Sequence, residues 1–289
     1  MSLQQSPLAA SIVQGEREQA VNEAQCLTRR HQYLATLKGG ILPPIINGAN
    51  VQRVLDVACG SGIWVQAMAM RYPHMWVVGV DSSALAIEQA RIRLPENVSN
   101  ASYVRQDIHT LGNERFTKAS MDLIHMRFLA SHVTNQQFGP LLHSLSSLCR
   151  RGGILVWTEA ELPLTTSSAC DYLESLLLSA LEAQGRSFSP GFSLSLGLSS
   201  RMHWWLRDAK FTVKQDLSDT IPINEGTQSH ELFIEELERF AQQIRPFLLH
   251  AGVVTNADYD TLMSQLHQEI CTRGFQGVFR LRSMVACKL

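Results

Sequence analysis

The sequence predicts an α/β protein with a doubly wound, mostly parallel seven-stranded sheet, to which an N-terminal helix and inserted helical cap segments are added. Three observations predict it. Short apolar runs alternate with helical stretches along the chain, the stretch 51–81 reads as strand, glycine turn, helix and strand, and no repeat, low-complexity tract or linker divides the 289 residues.

Composition bounds the function. With 45% apolar and 18% charged residues the chain can bury a proper core, and a net charge of −1 argues against a broad phosphate-tracking surface, so nucleic acid is an unexpected partner. Six cysteines are scattered without a CxxC pair or His/Cys ligand spacing, which predicts reduced thiols and no metal. Neither a signal segment nor a membrane span is expected, which predicts a soluble cytoplasmic protein.

Residues 1–15 read as a loose arm and 16–38 as a helix, because Ala20, Ala24, Leu27, His31 and Leu34 recur at helical spacing before Gly39 and Gly40 stop it. His31 on that apolar face is either satisfied by a neighbour or part of a lid. The first strand is the run Val51, Val54, Leu55, Val57, interrupted by the acid Asp56 and ended by CGSG. Gly60 and Gly62 allow a sharp turn and a close ligand, and a helix follows over 63–71. A second apolar run stops at Asp81, about twenty residues past the glycines, where a βαβ unit offers a carboxylate to both ribose hydroxyls. A nucleoside-containing cofactor is expected.

A departure from the dinucleotide pattern selects the cofactor. Val65 stands where G-x-G-x-x-G has its third glycine, and Asp56 is awkward beside a pyrophosphate but favourable beside a cationic amino-acid group. S-adenosylmethionine (SAM) carries an ammonium, a sulfonium and a ribose. VLDVACGSGIW followed by VVGVDSS resembles the first two motifs of class I SAM-dependent methyltransferases, of the small-molecule type found in ubiquinone biosynthesis and secondary metabolism. The resemblance implies a Rossmann-like SAM-binding domain over 46–289, preceded over 1–45 by an arm and a lid helix. RRHQYLATLKGGILPP resembles that lid, which would bring His31 or Tyr33 near the methionine moiety. The expected cofactor contacts are Tyr33, Asp56, Ala58, Gly60, Gly62, Asp81, Ser82, Asp107, Ile108, Met126 and Arg127.

After Asp81 come a helix over 83–94, ended by Pro95, and a strand over 99–105. Asp107 and Ile108 follow at the carboxyl end of that strand, where ligands of open α/β sheets lie. The resemblance makes Asp107 the adenine-contacting acid. The fourth strand, 120–126, delivers His125, Met126, Arg127 and Phe128 toward the methyl, and alternation lets only one of His125 and Met126 face each way. His125 is the expected general base, with His31 and His132 in reserve. An amphipathic helix over 138–149, capped through Arg150-Arg151-Gly152-Gly153, leads into the fifth strand, ILVWTEAEL, where Glu159 or Glu161 faces substrate or solvent. The LxRGGxLxxxE pattern also matches the family.

Beyond Leu162 a helix over 168–184, a Ser/Gly/Phe-rich loop over 185–197, a helix over 198–209 and a strand over 210–215 are expected. Helices over 230–250 and 256–271 precede the last strand, VFRLRSMVACKL. Insertions near 163–200 and 222–273 should form a cap, with Phe188, Phe192, Met202 and Trp205 as candidate substrate-binding residues. Trp204 and Trp205, being adjacent on a helix, cannot face the same way. The function expected is methyl transfer from SAM to a small apolar or aromatic metabolite, O-methylation ahead of N- or C-methylation. A SAM-binding regulator is the alternative, an NAD-dependent oxidoreductase stands further back, and homodimerisation is left open.

Overall fold

The structure, a computed structural model, describes residues 40–112, 115–131, 133–189 and 195–289. The expected arm and lid helix, with His31 and Tyr33, lie outside the described residues, as do His132 and Phe192.

The βαβ unit forms where the spacing puts it, as β1 (Arg53–Val57), α1 (Ile63–Arg71) and β2 (Trp76–Asp81), and α2 (Ala84–Arg93) and β3 (Ala101–Arg105) extend it. Next come β4 (Met121–Arg127), α3 (Asn135–Leu148), β5 (Cys149–Ala160), β6 (Leu164–Thr165), α4 (Ser168–Ala183) and α5 (Leu198–Asp208). The chain closes with β7 (Phe211–Pro222), α6 (Gln228–His250), α7 (Asn256–Ile270) and β8 (Gly277–Lys288). The sheet runs β3-β2-β1-β4-β5-β8-β7, with β6 beside the start of β8. Strands β1 to β5 pair with one another in parallel, and β8 is antiparallel to both β5 and β7. The eighth strand is the two-residue β6, too short to leave a periodic signal.

Burial on both faces explains the near-continuous apolar runs of the central strands. Leu55, Val57, Ile124 and Met126 point into the layer of α3 and α5, while Val54, Leu123 and Val156 point into the layer of α1 and α2. Helix starts are fixed by side-chain caps, as where Ser83 Oγ accepts the Ala86 N–H at 3.2 Å and Thr255 Oγ1 the Asp258 N–H at 3.2 Å.

Two elements depart from the sequence reading. Gly152 and Gly153 do not cap α3, which ends at Cys149 with φ −71°; they lie inside β5, in a bulge where the register jumps from Met121↔Cys149 to Leu123↔Ile154. Asp122 explains the pinning, since it accepts the N–H groups of Gln52 and Arg53 at 2.9 and 2.8 Å and pairs with Arg150 of the bulge. Strand β7 spans 12 residues, well past the expected end at Gln215, pairing with β8 as far as Pro222↔Val278; its alternately exposed, polar positions leave no apolar run in the sequence.

The inserted helices build a second core. Helices α4, α6 and α7 pack on one another and on Ile221, Ile223, Phe275 and Leu281. Glu269 of α7 clamps the start of α4, accepting the Ala169 N–H at 2.9 Å and the Ser167 and Ser168 hydroxyls at 2.7 and 3.1 Å. Those bonds, the Ala169 N–H first, hold its carboxyl down at about 2. His230 of α6 reaches Ile270 O at 2.8 Å, so the two long helices are tied as well. Helix α5 belongs to the sheet layer instead, through Leu198, Met202, Trp205 and Leu206. No helix among the described residues is long and apolar enough to cross a membrane.

Candidate functional site

The carboxyl ends of β1 to β4 surround a cleft of about 480 Å³, a size ordinary for small ligands. The chain reverses its winding between β1 and β4, the place where open α/β sheets leave room for a ligand. Asp56, Ala58, Gly60, Asp81, Ser82, Asp107, Ile108 and Arg127, all expected cofactor contacts, line it. Phe128, expected to emerge beyond the fourth strand, lines it too, and so do Cys59, Ser61, Ile63, Trp64, Ser83 and His109, which were not singled out by sequence, although the first four sit within the CGSGIW turn whose glycines announced the site.

The turn between β1 and α1 is held from two sides. Gly60 N–H donates to Asp81 Oδ2 at 2.9 Å, and Ser83 N–H donates to Oδ1 of the same carboxylate at 2.9 Å. Gly62 does not line the cleft but shapes it from below. It caps α1 at φ +76°, with the Tyr103 hydroxyl donating to its carbonyl at 3.0 Å. Beyond β3, Asp107 Oδ1 accepts the His109 N–H at 2.9 Å, which fixes a short turn that places Ile108 at the cleft. Burial, and after it Asp56 and Asp81, pushes the Cys59 thiol far up, so it stands neutral and unreactive.

His125 is not at the cleft surface. The β1–β4 register sets it beside Asp56, and its Nδ1 lies 2.8 Å from Asp56 Oδ1. The imidazole lies flat on Trp64, with ring centroids 3.8 Å apart and planes 5° from parallel. His125 and Asp56 are 5% and 4% exposed. Met126 is turned into the α3 layer and is fully buried, so neither residue of the alternating pair reaches the ligand space. A central strand is covered by helices on both faces, and only the residues past its end, Arg127 and Phe128, enter the cleft.

The expected substrate pocket is also corrected. Phe188, Met202 and Trp205 are core residues, interleaved with Phe138 and Trp157. Trp205 stacks on Phe138 at 5.1 Å and meets Phe188 edge-on at 6.1 Å. Phe128 joins Ala58, Ile63, Trp64 and Ile108 in the apolar lining of the cleft; it also packs against the core of the inserted helices and holds a left-handed φ of +56°.

Glu159 secures the turn after Phe128. Its carboxylate is fully buried and accepts N–H groups from Leu129 at 2.9 Å, Ala130 at 3.4 Å and the Trp157 indole at 2.7 Å, so it faces neither substrate nor solvent. Burial pushes its carboxyl from 4.5 up to about 7, against the three donors that favour the charged form. A carboxyl raised by folding contributes stability that is fully present below about 4.5 and is lost as pH rises through about 7. Wild-type protein is therefore expected to lose about 2–3 kcal/mol between pH 5 and 8 from this group. Glu159→Gln should remove that slope in denaturant melts, lying about 1–2 kcal/mol below wild type at pH 5, where its amide meets a donor, and level with or above it at pH 8. Glu174, raised to about 7 chiefly by burial, titrates in the same window in both proteins and cancels in the difference.

Comparison with known proteins places part of the chain in a family. Residues 54–153 match the methyltransferase domain family. The chain is 27% identical over 184 residues to the methyltransferase str2 of Strobilurus tenacellus, covering 60% of this chain and 62% of that protein. It is 33% identical over 110 residues to the secondary metabolism regulator LAE1 of Cochliobolus heterostrophus, covering 36% and 32%. The chain thus spans less than two thirds of the length of these curated relatives. The YcgJ protein of Bacillus subtilis shares the fold, with a TM-score of 0.50 and 15% identity over 83% of this chain and 93% of that one. Residues 54–153 are a methyltransferase domain, and the chain is built on the Rossmann-like fold of the class I SAM-dependent methyltransferases.

Proposed function

We propose that the protein transfers a methyl group from SAM to a small apolar or aromatic metabolite, with O-methylation favoured, in the cytoplasm. The observation that carries the reading is the donor set of the cleft. Three carboxylates, Asp56, Asp81 and Asp107, surround a glycine turn that lacks the third glycine of a pyrophosphate site, which suits a cationic nucleoside. In this reading Asp81 accepts the ribose hydroxyls, Asp107 the adenine amino group with Ile108 against the ring, and Asp56 faces the ammonium.

Bound SAM would supply an electrophilic methyl on sulfur. The chain's own contribution is to hold the acceptor in line about 3 Å from that methyl and to exclude water. Phe128 supplies the apolar wall nearest the inserted helices. Where the acceptor is a hydroxyl, His31 and His132 remain the proposed proton acceptors, since His125 lies behind Asp56.

Calorimetric titration with S-adenosylhomocysteine should give a stoichiometric site, and NAD should give none. Uptake of NAD without S-adenosylhomocysteine would overturn the reading. The likeness to a named regulator favours one second reading, a SAM-binding protein that governs metabolism without methylating a metabolite. SAM consumption on addition of pooled metabolite extract separates the two.

A further inference from the structure

We propose that His125 is a positioning residue for cofactor recognition: through Nδ1 it orients the Asp56 carboxylate toward the amino-acid end of the cofactor, and it does not take the substrate's proton. The inference rests on the SAM reading of the cleft.

A carboxylate oxygen can only accept, so the His125 nitrogen 2.8 Å from Asp56 Oδ1 carries the proton. One oxygen of Asp56 is thereby committed to the imidazole, and Asp56 still lines the cleft, so its second oxygen is the one offered to a ligand. Asp56 is 4% exposed and shares the cleft lining with a second acid, Asp81, and a hydrogen-bond donor behind it fixes the direction of its carboxylate.

The ring that holds it is itself held. Trp64 covers its face at 3.8 Å, and the Trp64 indole N–H points to Ile41 O at 3.4 Å on the far side. Three elements, β1, β4 and α1, therefore each contribute one side chain to a stack ending at the cleft. A general base needs a nitrogen within hydrogen-bond reach of the acceptor, and this imidazole lies behind two groups that do line the cleft, Asp56 and Trp64.

The test measures affinity for two ligands by calorimetry. S-adenosylhomocysteine carries the amino-acid group, and 5′-methylthioadenosine keeps the nucleoside and thioether without it. His125→Phe keeps a ring under Trp64 and removes the donor, and is expected to weaken S-adenosylhomocysteine about tenfold or more while changing methylthioadenosine by less than about twofold. His125→Asn, which places an amide N–H where Nδ1 was, should stay within about threefold of wild type for both ligands. In an Asp56→Asn background, His125→Phe should add no further loss.

If His125→Phe fails to fold, His125→Gln replaces it, with its donor displaced toward the Nε2 position and the same selective loss expected. Equal loss of both ligands, or unchanged S-adenosylhomocysteine affinity, would overturn the positioning role. Failure of wild-type protein to bind S-adenosylhomocysteine would instead remove the cofactor reading beneath it.

Discussion

Gly62→Ala is expected to lower stability by about 3–6 kcal/mol, a large share of the 5–15 kcal/mol that holds a typical domain together. Two penalties combine. The left-handed φ of +76° is open to glycine, and a side chain there costs about 1–2 kcal/mol. An added Cβ would also stand 2.5–2.6 Å from Cε1, Cζ and Oη of Tyr103. That ring is buried under the turn and cannot retreat without breaking its bond to the Gly62 carbonyl, worth about 1 kcal/mol, and disturbing the packing around it. The control is Gly60→Ala, where φ is +53° and nothing lies within 4 Å of the added Cβ, so only the backbone penalty applies. Unfolding melts of the two variants should separate by at least about 5 °C. Coincident melts would mean that Tyr103 yields easily.

Asp81→Ala is expected to weaken S-adenosylhomocysteine about 10²–10³-fold while leaving the unliganded protein within about 1–2 kcal/mol of wild type. The carboxylate now accepts the Gly60 and Ser83 N–H groups at 2.9 Å each, and neither donor is deeply buried, so water can replace it in the empty protein. A ribose diol has no such substitute, because two charge-assisted bonds disappear together. Asp81→Asn keeps one good acceptor and should fall between. Titration calorimetry with a parallel thermal melt reads both quantities. Wild-type affinity in Asp81→Ala would take the ribose role from this residue.

The central βαβ unit was legible because its signals are local. An acid before the turn, two glycines in it and a second acid at the end of the next strand lie within 26 residues, from Asp56 to Asp81, and the structure brings both acids and Gly60 to one cleft, with Gly62 capping the helix beneath it. The aromatic pocket was not legible in the same way. Met202 and Trp205 show the spacing of a buried helix face, and Phe188 is a single aromatic in a loop; either signal is identical whether the partner is a ligand or, as here, Phe138 and Trp157. His125 failed for a related reason. Alternation says that neighbours on a strand point oppositely, but on a strand sandwiched between helix layers both directions lead into the interior. The bond to Asp56 joins residues 69 positions apart and leaves no trace in spacing. Gly152 and Gly153 look like a helix stop because a bulge and a helix terminus both need a left-handed residue, and Gly152 has φ +73°.

The helices over 168–183, 228–250 and 256–270 cohere through side chains of their own, and Phe128 joins that core to the cleft. Such a division lets the two halves diverge at different speeds. Substitutions among the leucines and phenylalanines of the helical half can then alter that core without touching the residues that line the cleft beside β1 to β4.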